Sequence, residues 1–196
     1  MTPKQMTIAL ALLVAACASR PVSLVALPPA GHADAPNPEP TSQTTILLRR
    51  VKLPGYLDNY PVVIRRENGV VVESADSEWA ERLSEGVERV LRAALSQRLG
   101  AARVLIPGDG RTPDAVVTVE FLALDPQRRT IDLDAAWTVV CRNNVSQSGR
   151  IALQAPLPET TPSAVASAST AALAQLAEQL APLTNCTPGA EARLPG

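Results

Sequence analysis

Aromatic residues are scarce in this chain: two tryptophans, two tyrosines and one phenylalanine among 196 residues. A core must therefore be built from Val, Leu, Ile and Ala. Histidine occurs once, at His32, inside "AGHADAPNPEPTSQ", where no partner is placed for acid–base work. Basic residues form nothing longer than pairs such as Arg49-Arg50 and Arg65-Arg66, so a nucleic-acid partner has no electrostatic footprint. Signatures of a nucleophile elbow, a phosphate-binding loop or a Cys-x-x-Cys pair are missing. The stretch "PGDGRTPDA" has glycines but lacks the lysine and following helix that a phosphate cradle needs. Asp132 and Asp134 lie two apart on one strand face and could meet a metal or act as an acid–base pair. Their alternation with apolar residues reads more simply as a solvated sheet surface. No catalytic residue, metal ligand or cofactor site emerges, and the chain is read as a non-enzyme.

What is present begins at the first residues. "MTPKQMTIALALLVAAC" has one cation, Lys4, then an apolar core from Met6 to Ala16, too short to span a bilayer as a stable helix. These are the first two regions of an export signal. Val14-Ala15-Ala16-Cys17 resembles the bacterial lipobox, whose cysteine thiol takes up diacylglycerol and becomes the first residue after cleavage. A thiol nucleophile and small neighbours are what that chemistry requires. Residues 1–16 are thus expected to be a lipoprotein signal peptide, with Cys17 carrying diacylglycerol and an N-acyl chain. Ala18 is not the aspartate that retains lipoproteins at the inner membrane, so the resemblance points to the periplasmic face of the outer membrane. Loss of Lys4 leaves 17 basic and 19 acidic side chains, a net charge of −2. With Cys17 acylated, Cys141 and Cys186 remain as an even pair in an oxidising compartment, where they can form a disulfide or stay as two buried thiols.

Periodicity then divides the mature chain. Residues 22–27 alternate as a first strand ending at Pro28-Pro29, and 30–43 reads as an aperiodic loop. A strand over 44–53 stops at Pro54-Gly55. "YPVVIRRENGVVVES" predicts a hairpin turning at Asn68-Gly69, a pair that accepts positive φ. In "DSEWAERLSEGVERVLRAALSQRLG", Trp79, Leu83, Val87, Val90, Leu91, Ala94, Leu95 and Leu99 make one apolar stripe. Asp76 or Ser77 is the expected cap, Glu78 and Glu81 suit the first turn, and Gly100 the close. A short strand at 103–106, a long hairpin turning near 125–129, and a strand in "SGRIALQAP" follow. The last helix starts at Thr161-Pro162 and buries Val165, Ala172, Leu173, Leu176 and Leu180 before Pro182. This order predicts an α/β two-layer sandwich: a mostly antiparallel sheet with two main helices on one face. The domain is expected over 17–183, with 184–196 a loose tail.

In order, "VKLPGYLD", "VVIRR", "SEWAERL", "LDAAWTV" and an alanine-rich final helix resemble the ABC-type transport auxiliary lipoprotein family, the PqiC-like intermembrane transport lipoproteins. The resemblance runs from Cys17 to about Leu183. It implies a docking component without turnover, placed at the outer-membrane end of an MCE-type ABC transport system that moves lipids between the two membranes. An MCE-domain protein is the implied partner, and a lipid cargo and a homo-oligomer are compatible with that role. The other function class is an outer-membrane assembly or structural lipoprotein. The loop at 54–58 breaks a strand with Pro-Gly, so Tyr56, Leu57 and Asp58 are the candidate partner-binding residues. The alternative for them is a plug over the end of the sheet, with Trp79 in the core beneath.

Overall fold

The computed structural model describes residues 21–30, 44–66 and 68–186. Cys17 and His32 lie outside the described residues. The strand order begins with β1 (Ser23–Val25), β2 (Ile46–Leu48), β3 (Pro61–Arg65) and β4 (Val71–Trp79). Helix α1 (Leu83–Leu99) and β5 (Val104–Leu105) follow. Then come β6 (Ala115–Pro126), β7 (Thr130–Cys141), β8 (Ser146–Pro156) and helix α2 (Pro162–Leu180).

The longest ladder is the antiparallel β6-β7-β8 meander, and its alternation explains why it forms. Along β7, Ile131, Leu133, Ala135, Val139 and Cys141 are buried while the residues between them are not. One face can therefore meet the helices and the other water. Trp137 sits half-buried across from Gly149. A Cβ on Gly149 would stand 2.9 Å from the indole Cζ2, so the glycine is what lets the ring lie across β8. A register shift between Phe121 and Ala123 leaves Leu122 exposed. β2 and β5 extend this sheet with parallel pairings, giving the order β5-β2-β6-β7-β8. A second, three-stranded sheet has the order β1-β4-β3, with β1 parallel and β3 antiparallel to β4. The two-layer α/β arrangement is as expected, but the strands form two mixed sheets, because three short strands join in parallel.

Helix α2 has the predicted start: the Thr161 side chain accepts a hydrogen bond from the Ala164 N–H at 3.4 Å, and Pro162 occupies the first position. Val165, Ala172, Leu173, Leu176 and Leu180 are all fully buried. Facing them are Val87, Val90, Leu91 and Leu95 of α1, equally buried. Each of these Val and Leu side chains contributes about 1.5–3 kcal/mol on leaving water, so the helix pair and sheet share one filled apolar core.

Three local expectations are corrected. Trp79 is the last residue of β4, not the first of the α1 stripe, and Asp76 and Ser77 cap nothing helical. Its spacing from Leu83 fits a helix, but Ser77, Glu78 and Trp79 pair with Ser23, Leu24 and Val25. That pairing satisfies backbone groups which the sequence offers equally to a helix. Gly100 does close α1, its N–H donating to the Ser96 carbonyl. Second, β2 spans three residues, and beyond it only Lys52 bridges to Glu120. Third, the segment at 25–30 is a strap laid along the helices. Ala80 N–H donates to the Val25 carbonyl (2.7 Å), Arg89 to Leu27 (3.1 Å), Thr170 to Pro28 (3.0 Å) and Gln97 to Ala30 (3.2 Å). Leu27 and Ala30 are buried, and Gly86 gives room to Leu27, whose Cδ1 would lie 3.3 Å from a Cβ there.

Candidate functional site

The loop at 54–60 joins both sheets to α1, and each of its residues is fixed differently. Pro54 starts a turn: its carbonyl accepts from the N–H groups of Leu57 (2.9 Å) and Asp58 (3.1 Å). The turn aims Leu57 inward, where it is 2% exposed and belongs to the core. Leu57 is therefore a plug, which corrects the expectation of an exposed apolar tip at that residue. Asp58 points at α1: its Oδ1 accepts from the Ser84 N–H at 3.4 Å. Arg82, at the cap position, offers no side-chain bond of its own, so an aspartate from a distant loop serves one of the helix's unpaired donors.

Tyr56 keeps 38% of its surface exposed while its hydroxyl donates to Oδ1 of Asp125 at 2.7 Å. Asp125, at the end of β6, is 7% exposed. Arg65, from the end of β3, donates from Nε to the other carboxylate oxygen at 2.7 Å and from a terminal nitrogen to the Tyr56 hydroxyl at 3.0 Å. Its guanidinium also stands 5.3 Å from the Tyr56 ring centroid. Burial and the hydrogen bond to Asp125 push the Tyr56 phenol above its ordinary value, so it stays a protonated donor. The bond to Asp125 holds Arg65 more firmly charged than usual. This triad closes the gap between the two sheets.

A second tyrosine was not singled out by the sequence. Tyr60 is 45% exposed, its N–H donates to the Asn59 Oδ1 at 2.9 Å, and its ring lies 5.8 Å from the Arg82 guanidinium carbon. Its signal in the sequence is weak: a tyrosine before Pro61 at a strand start. The loop thus displays two tyrosine rings, each beside an arginine, on a base held by Leu57 and Asp58.

The other singled-out residues have structural partners. Arg150 donates to both oxygens of Asp134, 2.6 Å from Nε to Oδ1, and depresses its carboxyl below the usual range. Asp132 accepts from Gln154 (3.0 Å) and Thr130 (2.9 Å). The bonds from Arg150 and Gln154 cross from β8 to β7 on the solvent side of the sheet, and the one from Thr130 stays within β7. Among the described residues no group of His, Cys, Asp and Glu could hold a metal ion. Cys141 and Cys186 are joined as a disulfide, with Cα atoms 5.7 Å apart, tying the end of β7 to the segment after α2.

Comparison with solved structures returns the same architecture. A crystal structure of an uncharacterized protein superposes with a TM-score of 0.68 at 15% identity, covering 84% of this chain and 99% of the other. Protein XCC0632 from Xanthomonas campestris gives 0.58 at 14% identity, covering 81% and 91%. At such identities the likeness is one of fold. No curated protein matches in sequence. The family model is more specific: it spans the strap from residue 26, strands β2 to β8, the tyrosine loop and both helices. Because the model of the ABC-type transport auxiliary lipoprotein component matches residues 26–181, the chain belongs to that family and is a non-catalytic auxiliary part of an ABC-type transport system.

Proposed function

We propose that this protein is the outer-membrane, periplasm-facing lipoprotein of an MCE-type transporter, and that it docks the MCE-domain protein so that lipids pass between the membranes. The observation that carries this reading is the family match over 26–181, preceded within ten residues by a lipobox at 14–17. Residues 1–16 are the signal peptide in this reading, and Cys17 bears the lipid. The docking surface is the loop at 54–60. Tyr56 and Tyr60 supply exposed rings beside Arg65 and Arg82, a Tyr and Arg composition typical of interface anchors. Leu57 and Asp58 hold that surface in shape from below. The space between helices and sheet is filled by side chains, which favours a docking role over carriage of a lipid tail within this domain.

Two measurements test the reading. Intact mass of membrane-extracted protein should show a diacylglyceryl adduct on Cys17, and Cys17→Ser should release the protein or block its processing. A mature form that begins elsewhere and lacks lipid contradicts the anchor. Pull-down of the MCE-domain partner should weaken with Tyr60→Ala at unchanged melting temperature. Full recovery with both Tyr60→Ala and Tyr56→Ala moves the docking surface elsewhere.

A further inference from the structure

The chain enters the fold at one end of the molecule. β1 runs parallel to β4 with Ser23 opposite Ser77, so the chain traced backwards from Ser23 heads toward the first residues of β4 and its hairpin at 66–70. The β6–β7 turn and the loop from β8 into α2 reach the same end. Arg65, Arg66, Asn68, Arg128 and Thr160 line one open cleft there of about 500 Å³. Arg128 and Thr160 also border a neighbouring cleft of about 730 Å³, together with Arg129 and Glu159. Arg66, Arg128 and Arg129 are exposed, and Arg65 pairs with Asp125. Val22, Leu24 and Val70, exposed by 47%, 68% and 49%, add apolar surface beside the entry strand and hairpin.

Only three residues, Ala18, Ser19 and Arg20, separate Cys17 from Pro21, which makes four steps along the chain. A chain spans at most about 3.6 Å per residue, so whatever path they take, Cys17 lies within about 14 Å of Pro21. The opposite end, where β7 turns into β8 at Asn143, is farther away than that. The 12 residues of β7 alone cover roughly 36 Å at the usual rise per residue. At that end Arg111 pairs with Asp109 and Arg142 with Asp114.

We infer that the end carrying the 66–70 hairpin, the 127–129 turn and the 157–161 loop faces the membrane that holds the anchor. Arg66, Arg128 and Arg129 then meet phosphate groups of anionic phospholipids. Guanidinium suits this contact, since its planar donors fit phosphate oxygens in pairs and it sheds water more easily than an ammonium. Among the described residues, Glu159 borders the second cleft beside Arg128 and Arg129. The arrangement rests on lipid attachment at Cys17 and adds to it a fixed side: the 143 end is turned away from the lipid.

The test places a photoreactive benzoylphenylalanine at Asn68 or at Asn143 of the full chain, purified in lipidated form and reconstituted into vesicles. Illumination in vesicles containing phosphatidylglycerol should give a phospholipid adduct at 68 and none at 143. The yield at 68 should drop in pure phosphatidylcholine vesicles, and drop again when Arg66, Arg128 and Arg129 are replaced by alanine. Melting temperature reports whether those variants stay folded. With lipid confirmed on Cys17, an adduct at 143, equal adducts at both sites or adducts at neither overturn the orientation. A yield indifferent to phosphatidylglycerol overturns the arginine contact. Absence of lipid from Cys17 overturns the anchor and the orientation together.

Discussion

Tyr56, Leu57 and Tyr60 sit within five residues of one another and do different work. Leu57 fills the core, so Leu57→Ala should cost about 2–5 kcal/mol from lost burial and the cavity left behind. Tyr56→Phe keeps the ring near Arg65 but removes the donor to Asp125. It should cost about 1 kcal/mol, because Arg65 still serves the carboxylate. Tyr60→Ala, at a half-exposed site, should change stability by less than about 0.5 kcal/mol. Urea unfolding of the three variants checks this order, and a Tyr60→Ala loss as large as that of Leu57→Ala would contradict a displayed ring. Gly149 offers a second residue-scale test. A Cβ there would collide with the Trp137 indole, so Gly149→Ala should displace the ring and shift tryptophan emission toward longer wavelength.

At the scale of elements, α1 depends on a cap from outside itself. Asp58→Ala leaves the Ser84 N–H without its acceptor and should lower stability by about 0.5–1 kcal/mol, the low side of cap losses because the bond is long. Asp58→Asn keeps an acceptor and should recover most of it. The start of β2 is tied to the start of β6 by Asp114, whose Oδ2 accepts from the Thr45 N–H (2.9 Å) and hydroxyl (2.7 Å). Those bonds, with Arg142 adding a smaller share, hold the Asp114 carboxyl below its ordinary value. A carboxyl depressed in the folded state stabilises the fold above its unfolded value of about 3.9. That contribution fades as pH falls through the lower folded value. Asp114→Asn should therefore narrow the stability gap between pH 6 and pH 3, read from melting temperatures across that range. An unchanged gap would assign acid sensitivity to other carboxylates.

For the whole molecule, the Cys141–Cys186 bridge closes a span of 45 residues and fastens the end of α2 to the sheet. In the chain-entropy model such a closure contributes about 4 kcal/mol through the unfolded state. Cys186→Ser should lower the melting temperature by several degrees, and a reductant should then have no further effect on that variant. Full stability in the variant would mean that packing of α2 already does the work. The proposed docking and anchoring both need the two helices and two sheets to behave as one body, which is what this bridge and the strap at 25–30 support.

Whatever depends on period and local chemistry was legible in the sequence. The meander β6-β7-β8 follows from alternation, α2 from Thr161-Pro162 and its apolar stripe, and the hairpin from Asn68-Gly69, with Gly69 at φ +78°. Family membership was carried by short motifs in order. What the sequence left open was decided by contacts across long separations. Trp79 fits a helix or a strand by spacing, and its pairing with Val25, far back in the chain, settled it. Leu57 and Asp58 look like a displayed tip, but the core beneath and the bare end of α1 claim them. Tyr60 gained its place beside Arg82 only when β3 and α1 met. Period reports which side of an element is apolar, whereas the choice of partner belongs to the packed molecule, where each buried group must find its contact and each free N–H its acceptor.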